Sequence, residues 1–133
     1  MRLTAFTDFG LRVLMRLAGA PDRTFTTDEI ATEFNISRHH LAKAVGALSA
    51  AGVIESRRGL GGGLSLARAP ELISIGEIVR LLESGQALVE CFRADGGACA
   101  LTPQCRLKAR LFSARSAFLR ELDAVTLAEC AYP

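Results

Sequence analysis

Thr26-Thr27-Asp28-Glu29-Ile30-Ala31-Thr32-Glu33-Phe34-Asn35-Ile36-Ser37-Arg38-His39-His40-Leu41-Ala42-Lys43-Ala44-Val45-Gly46-Ala47-Leu48-Ser49-Ala50-Ala51-Gly52 is the stretch that decides the fold. A helix starts near Thr26–Glu29 and runs through Ile30, Ala31 and Phe34, and Asn35-Ile36 makes a short turn. Ser37 then caps a second helix, Arg38 to Ala51, closed by Gly52 just past its end. Two helices joined so tightly fit a helix-turn-helix, whose second helix enters the major groove of DNA. Leu41, Ala44, Val45 and Leu48 form its buried stripe. Arg38, His39, Ala42, Lys43 and Gly46 face the other way, with donors near the N-terminus and small residues that let the helix sit deep. The competing reading of that face is a solvated helix surface. Ser37, Arg38, His39, His40 and Lys43 are the candidate DNA contacts of this helix.

The next fifteen or so residues favour the DNA reading. Val53-Ile54-Glu55-Ser56 and Leu64-Ser65-Leu66-Ala67 read as two short strands around Arg57-Arg58-Gly59-Leu60-Gly61-Gly62-Gly63. A two-stranded wing after a recognition helix defines a winged helix, and Arg57 and Arg58 can reach phosphates or a narrow minor groove. The glycine run lacks the Gly-Lys-Ser/Thr ending of a phosphate loop and does not match the dinucleotide fingerprint. It reads instead as a hairpin tip, where Gly61 and Gly62 let the backbone approach DNA.

Other helices flank this unit. Thr7-Asp8 opens the first, with Thr7 as cap and Asp8 in the positive first turn. Phe9, Val13, Leu14 and Leu17 recur at helical spacing until Gly19 and Pro21 end the run. Pro70 marks a boundary between a DNA-binding region, 1–70, and a second region, 71–133. There Ser74 caps a helix through Ile75, Ile78, Val79 and Leu82. Thr102-Pro103 is a helix start, and the last helix runs to about Asp123, roughly 30 Å long at the standard rise. Its stripe is Leu107, Leu111, Ala114, Phe118 and Leu122. Little chain remains to cover it, so it is expected to pack on a second copy and form a homodimer. The alternative is folding back on the first helix. The fold class is mainly α: a winged helix-turn-helix with a two-stranded wing and a long C-terminal dimerisation helix.

Three of the four cysteines share one window, Cys91-Phe-Arg-Ala-Asp-Gly-Gly-Ala-Cys99-Ala-Leu-Thr-Pro-Gln-Cys105. Its end, Cys105, is expected in the first turn of the last helix, where the dipole favours thiolate. The gaps of seven and five residues are wider than the two to four common in zinc knuckles. Wider spacing suits a larger object such as an iron–sulfur cluster. The net charge of +2 does not prove nucleic-acid binding, but its distribution is informative. Residues 1–70 carry nine Lys/Arg against six Asp/Glu, whereas residues 71–133 carry seven against eight. Neither a signal peptide nor a stretch long enough for a transmembrane helix is visible. The expected location is the cytoplasm, where thiols stay reduced.

The chain resembles the winged-helix iron–sulfur repressor family that includes IscR, RirA and the nitric-oxide sensor NsrR. The resemblance rests on Met1 to Arg12, on Ser37-Arg38-His39-His40-Leu41-Ala42-Lys43, on Arg58-Gly59-Leu60-Gly61-Gly62-Gly63-Leu64, and on the three cysteines. Leu101-Thr102-Pro103-Gln104-Cys105-Arg106-Leu107-Lys108 and Phe118 to Ala128 look most like the NsrR-like members. The resemblance implies that Cys91, Cys99 and Cys105 hold the cluster. IscR-like members place a histidine three residues after the third cysteine; here that position is Lys108. NsrR-like members are similar in offering a residue like Asp8 from the other subunit as fourth ligand. The first cysteine gap is longer than in many NsrR-like proteins and nearer RirA-like ones. Cys130 lies outside the window and is expected to have no ligand role.

The function implied by the resemblance is a DNA-binding repressor that senses nitric oxide through an iron–sulfur cluster, expected to be 4Fe-4S with 2Fe-2S as the alternative, and releases its double-stranded operator on nitrosylation. An iron- or redox-responsive cluster regulator is one alternative. A winged-helix regulator with a zinc or thiol site is another. A thiol enzyme lacks support, because the only histidines, His39 and His40, lie in the reading helix.

Overall fold

The structure, a computed structural model, describes residues 1–133. Five α-helices occur: α1 Ala5–Ala18, α2 Thr27–Glu33, α3 Arg38–Ala50, α4 Ile75–Leu82 and α5 Arg106–Asp123. Strands β1 (Ile54–Arg57) and β2 (Gly63–Leu66) come after α3 and pair antiparallel, Ile54 against Leu66 and Arg57 against Gly63. The expected winged helix-turn-helix is therefore present, with strands displaced by about one residue from their expected limits.

Local chemistry explains the boundaries. Thr26 caps α2 in a reciprocal box: its hydroxyl accepts from Glu29 N at 3.1 Å, and Thr26 N donates to Glu29 Oε2 at 2.6 Å. Asn35 at φ 53° turns the chain into α3, a left-handed conformation that asparagine tolerates. Ser74 caps α4 through Glu77 N at 3.1 Å. Two expected caps are corrected. Thr4, not Thr7, caps α1; Thr7 is one turn inside, and its side chain is buried. Thr102 does not start the last helix: Thr102–Gln104 is a separate 3₁₀ turn, and α5 begins after Cys105. Thr102 Oγ1 is buried and has no hydrogen-bond partner.

One core of 18 buried residues unites the fold. Val13, Leu14 and Leu17 of α1 meet Leu41, Val45 and Leu48 of α3, Ile54 of β1, and Ile78, Val79 and Leu82 of α4. Fully burying one such side chain contributes about 1.5–3 kcal/mol. The regions 1–70 and 71–133 share this core, since Ile73, Ile75 and Leu127 also belong to it. Position 10 is where α1 meets two helices at once: a Cβ there would fall 2.5 Å from Leu82 Cδ1 and 3.7 Å from Leu48 Cδ1.

No residue of α5 is fully buried. Its second half packs Phe118, Leu119 and Leu122 against the core, while Leu107 is 61% exposed and Phe112 53% exposed. The chain then returns to α4. Ser74 bridges Thr126, Ile75 N donates to Val125 O at 2.9 Å, and Leu127 N donates to Ile73 O at 2.8 Å.

Candidate DNA-reading face and cysteine segment

The reading helix α3 is sharply divided. Leu41, Ala44, Val45 and Leu48 are buried, while Ser37, Arg38, His39, His40, Ala42, Lys43 and Gly46 are exposed. Ser37 Oγ accepts from His40 N at 3.5 Å, fixing the N-terminal end that would meet base edges. Arg38 pairs with Asp28 of α2. His39 and His40 lie with ring centroids 5.9 Å apart. On the wing, Arg57 is 3.8 Å from Glu55, and Arg58, Gly59, Leu60 and Gly61 are exposed. Lys43 and Arg58 stand outside all the ion pairs, so both charges are available.

The wing is fastened to the helix-turn-helix. Leu64 N donates to Phe25 O at 2.7 Å, Phe25 N donates to Leu64 O at 3.2 Å, and Thr24 Oγ1 donates to Gly62 O at 2.8 Å. Gly62 has a steric reason: a Cβ there would lie 2.3 Å from Arg57 O. The arginines of the tip and the donors of α3 thus belong to one packed unit.

The cysteine segment is built differently. Cys91 sits on the 3₁₀ turn Glu90–Phe92, Cys99 in an irregular loop, and Cys105 at the residue just before α5, not within its first turn. All three thiols are free and half-buried. Thr102 links the last two, its N–H donating to Cys99 O at 3.2 Å and its carbonyl accepting from Cys105 N at 3.5 Å. Cys105 opens into a cleft of about 620 Å³ shared with Phe92, Lys108, Phe112 and Arg115. The Arg115 guanidinium lies 4.9 Å from the Phe92 ring centre and 5.3 Å from that of Phe112. Cys130 is on another turn, Ala128–Cys130, packed against the core.

Asp8 lies in the first turn of α1 with its carboxylate gripped by Arg12, Nη2 to Oδ2 at 2.7 Å and Nε to Oδ1 at 3.2 Å. Nowhere in the single chain do three Cys, His, Asp or Glu side chains close on one point that could hold a metal, so Asp8 and the three cysteines are not gathered. The donor set still fits a soft, iron-containing group: three unpaired thiols ride on a segment whose only regular elements are single 3₁₀ turns. Closing it around such a group disrupts no long helix.

Three further residues leave no local mark in the sequence. Glu83, at the end of α4, accepts from Thr4 N at 2.7 Å and from Thr4 Oγ1 at 2.9 Å. Burial pushes its carboxyl up, but bonds from Thr7 and Thr4 outweigh this and hold it below its ordinary value. Gly10 sets the crossing of α1 with α3 and α4, and Glu90 braces the cysteine loop through Ala98 N. Each acts on a residue distant along the chain or through the absence of a side chain, which local pattern does not record.

A recognition helix, a fastened wing and an exposed basic face define a DNA-binding regulator of the winged-helix class. Residues 3–132 match the Rrf2 family, described as an iron-dependent transcriptional regulator, and the chain belongs to that family. It is 50% identical over 131 residues to the HTH-type transcriptional regulator NsrR of Geobacillus kaustophilus, covering 97% of this chain and 88% of that one. With the NsrR of Halalkalibacterium halodurans it shares 44% identity over 128 residues, 96% of this chain and 88% of that one. Among solved structures it is similar to CymR, the global cysteine regulator of B. subtilis, with TM-score 0.79 and 28% identity over 98% of this chain and 96% of that chain. The protein is a transcriptional regulator and not an enzyme. None of its helices is long and apolar enough to cross a membrane.

Proposed function

We propose that this regulator is a repressor that senses nitric oxide through an iron–sulfur cluster of the 4Fe-4S type and releases its operator when nitric oxide reacts there. The observation that carries the reading is three free thiols on one loop, attached to a winged-helix reader whose relatives bear the name NsrR. Cys91, Cys99 and Cys105 would hold the cluster as thiolates, with the partner subunit's Asp8 as fourth ligand in a homodimer joined along α5. When bound, the cluster supplies iron that nitric oxide attacks.

The chain's own residues supply the rest. A carboxylate is a harder, weaker ligand for iron than a thiolate, so Asp8 is the exchangeable corner. Arg12 competes for it, but an exposed pair of this i,i+4 type is worth only about 0.3–0.5 kcal/mol and yields easily. A pull on Asp8 bears on α1, which packs two residues later against Leu82 and Leu48. Leu48 lies on the reading helix, so strain at Asp8 reaches the DNA face through packed side chains. Ser37, Arg38, His39, His40, Lys43, Arg57, Arg58, Gly61 and Gly62 form the surface offered to DNA. A dimer would read two half-sites about one helical turn apart.

Iron and sulfide analysis of anaerobically purified protein, with nitric-oxide titration against bound operator DNA, tests the reading. A brown protein that loses its colour and its DNA together is expected. Cys91→Ala, Cys99→Ala and Cys105→Ala should each lose the cluster, and Cys130→Ala should keep it. Lys43→Ala and Arg58→Ala should weaken DNA binding, each lowering the salt slope by about one if the contact is to phosphate. Unchanged affinity in both, at matched salt, would place the DNA surface elsewhere. Likeness to the cysteine regulator CymR favours a second reading, a zinc or thiol sensor on the same scaffold. A colourless, sulfide-free anaerobic protein selects it.

A further inference from the structure

The loop between Cys91 and Cys99 is closed at its base by one carboxylate. Glu90 Oε1 accepts a hydrogen bond from Ala98 N at 2.9 Å. Gly97 lies against the same residue: a Cβ there would fall 2.5 Å from Glu90 O and 2.7 Å from Glu90 Cγ. The far side of the loop is folded by its own bonds, Gly96 N to Arg93 O at 2.9 Å and Gly97 N to Asp95 Oδ1 at 2.9 Å. Glu90 and Ala98 each stand one residue before a cysteine. Fastening them together therefore fastens together the backbone positions that launch both thiols, consecutive Cα atoms being about 3.8 Å apart.

We infer that Glu90 is a positioning residue, whose carboxylate closes the 91–99 loop and presents Cys91 and Cys99 side by side to the group they bind. The gap of seven residues is wide for two ligands of one centre, and an open loop of that length must lose entropy when both ends engage it. Closure by Glu90 meets part of that cost before any metal arrives. The inference rests on reading Cys91 and Cys99 as ligands of one group, and it holds whether that group is a cluster or a single metal.

The test uses the full, metal-free chain carrying Cys105→Ala, equilibrated in glutathione buffers, with the Cys91–Cys99 disulfide measured by peptide mass spectrometry. The two thiols give up two protons and two electrons to glutathione disulfide, whose S–S bond breaks to leave two glutathione thiols as the protein S–S bond forms. Adding Glu90→Ala should lower the equilibrium constant about fivefold, the range of one net hydrogen bond. Glu90→Gln keeps an oxygen acceptor and should stay within about twofold of the parent. An alanine variant equal to the parent overturns the inference. So does a glutamine variant as weak as alanine, which would assign the effect to charge. Iron and sulfide content of the chain with all four cysteines reads the occupant separately. A Glu90 effect without sulfide sinks only the cluster, and a cluster without a Glu90 effect sinks only this inference.

Discussion

Leu48 and Leu107 are the same residue on two amphipathic helices, yet Leu48 is 0% exposed and Leu107 is 61% exposed. The difference extends to whole regions. The reader draws α1, α2, α3, the wing and α4 around one core, while the residues from Glu83 to Thr126 contribute nothing to its fully buried set. The reader is complete within one chain. The cysteine segment and the first half of α5 leave apolar side chains uncovered and thiols unpaired. A fold that must present DNA contacts rigidly is finished internally; one that must answer to a ligand or a partner is left unfinished on one face.

The sharpest way to break this comparison is to truncate both leucines. Leu48→Ala should cost about 2–5 kcal/mol, since it leaves a cavity in a closed core. Leu107→Ala should change the stability of the dilute chain by no more than about 0.5 kcal/mol. Urea unfolding compares them, and equal losses would erase the distinction. Next in size is the joint between the regions. A Cβ at Gly76 would fall 1.9 Å from Asp123 Oδ1 and 2.8 Å from its backbone nitrogen. Gly76→Ala should cost about 1–3 kcal/mol, because backbone cannot step aside as a side-chain tip can. Thermal unfolding that matches wild type would show that α5 is not seated on α4 at Asp123.

The smallest effect concerns pH and sharpens the comparison at the reader's edge. Glu83 is held below its ordinary value of 4.5. A carboxyl depressed in the folded state adds stability that is complete above its unfolded value. That contribution disappears as pH falls from 4.5 through the lower folded value. Acid titration of stability should be steeper for wild type than for Glu83→Gln in that window, with the curves parallel near neutrality. Parallel curves throughout would mean the Thr4–Glu83 bonds do not persist in solution.

Most of the reader is legible in the sequence, because its signals are local: Ser37 and Ser74 caps, Thr26 at the start of α2, the turn at Asn35 and the glycine-rich tip. The cap of α1 is not, for a physical reason. Thr4 and Thr7 are both competent caps three residues apart, and what supports Thr4 is Glu83, 79 residues away. The start of α5 is expected too early because Thr102-Pro103 carries the features of a helix start, yet the turn it opens lasts only three residues. The cysteines are visible as a group from spacing. Their surroundings are not: the Glu90 carboxylate reaches Ala98 N across an irregular loop, and periodicity does not encode where such a loop comes to rest.

The attachment of α5 has a mechanical consequence. Its far end is clamped by the Arg80–Asp123 pair and by the chain's return along Ile73, Ser74 and Ile75, while in its first half Phe112 and Arg115 meet Phe92 of the cysteine segment rather than the core. It is a lever with its fulcrum near Phe118 and Cys105 at its tip, an arm of about 20 Å. Each degree of rotation at the clamp moves that thiol by about 0.3 Å over such an arm. Leverage runs the other way as well: an ångström-scale displacement of Cys105 reaches α4 as an angle of a few degrees, applied to the helix that packs against Gly10.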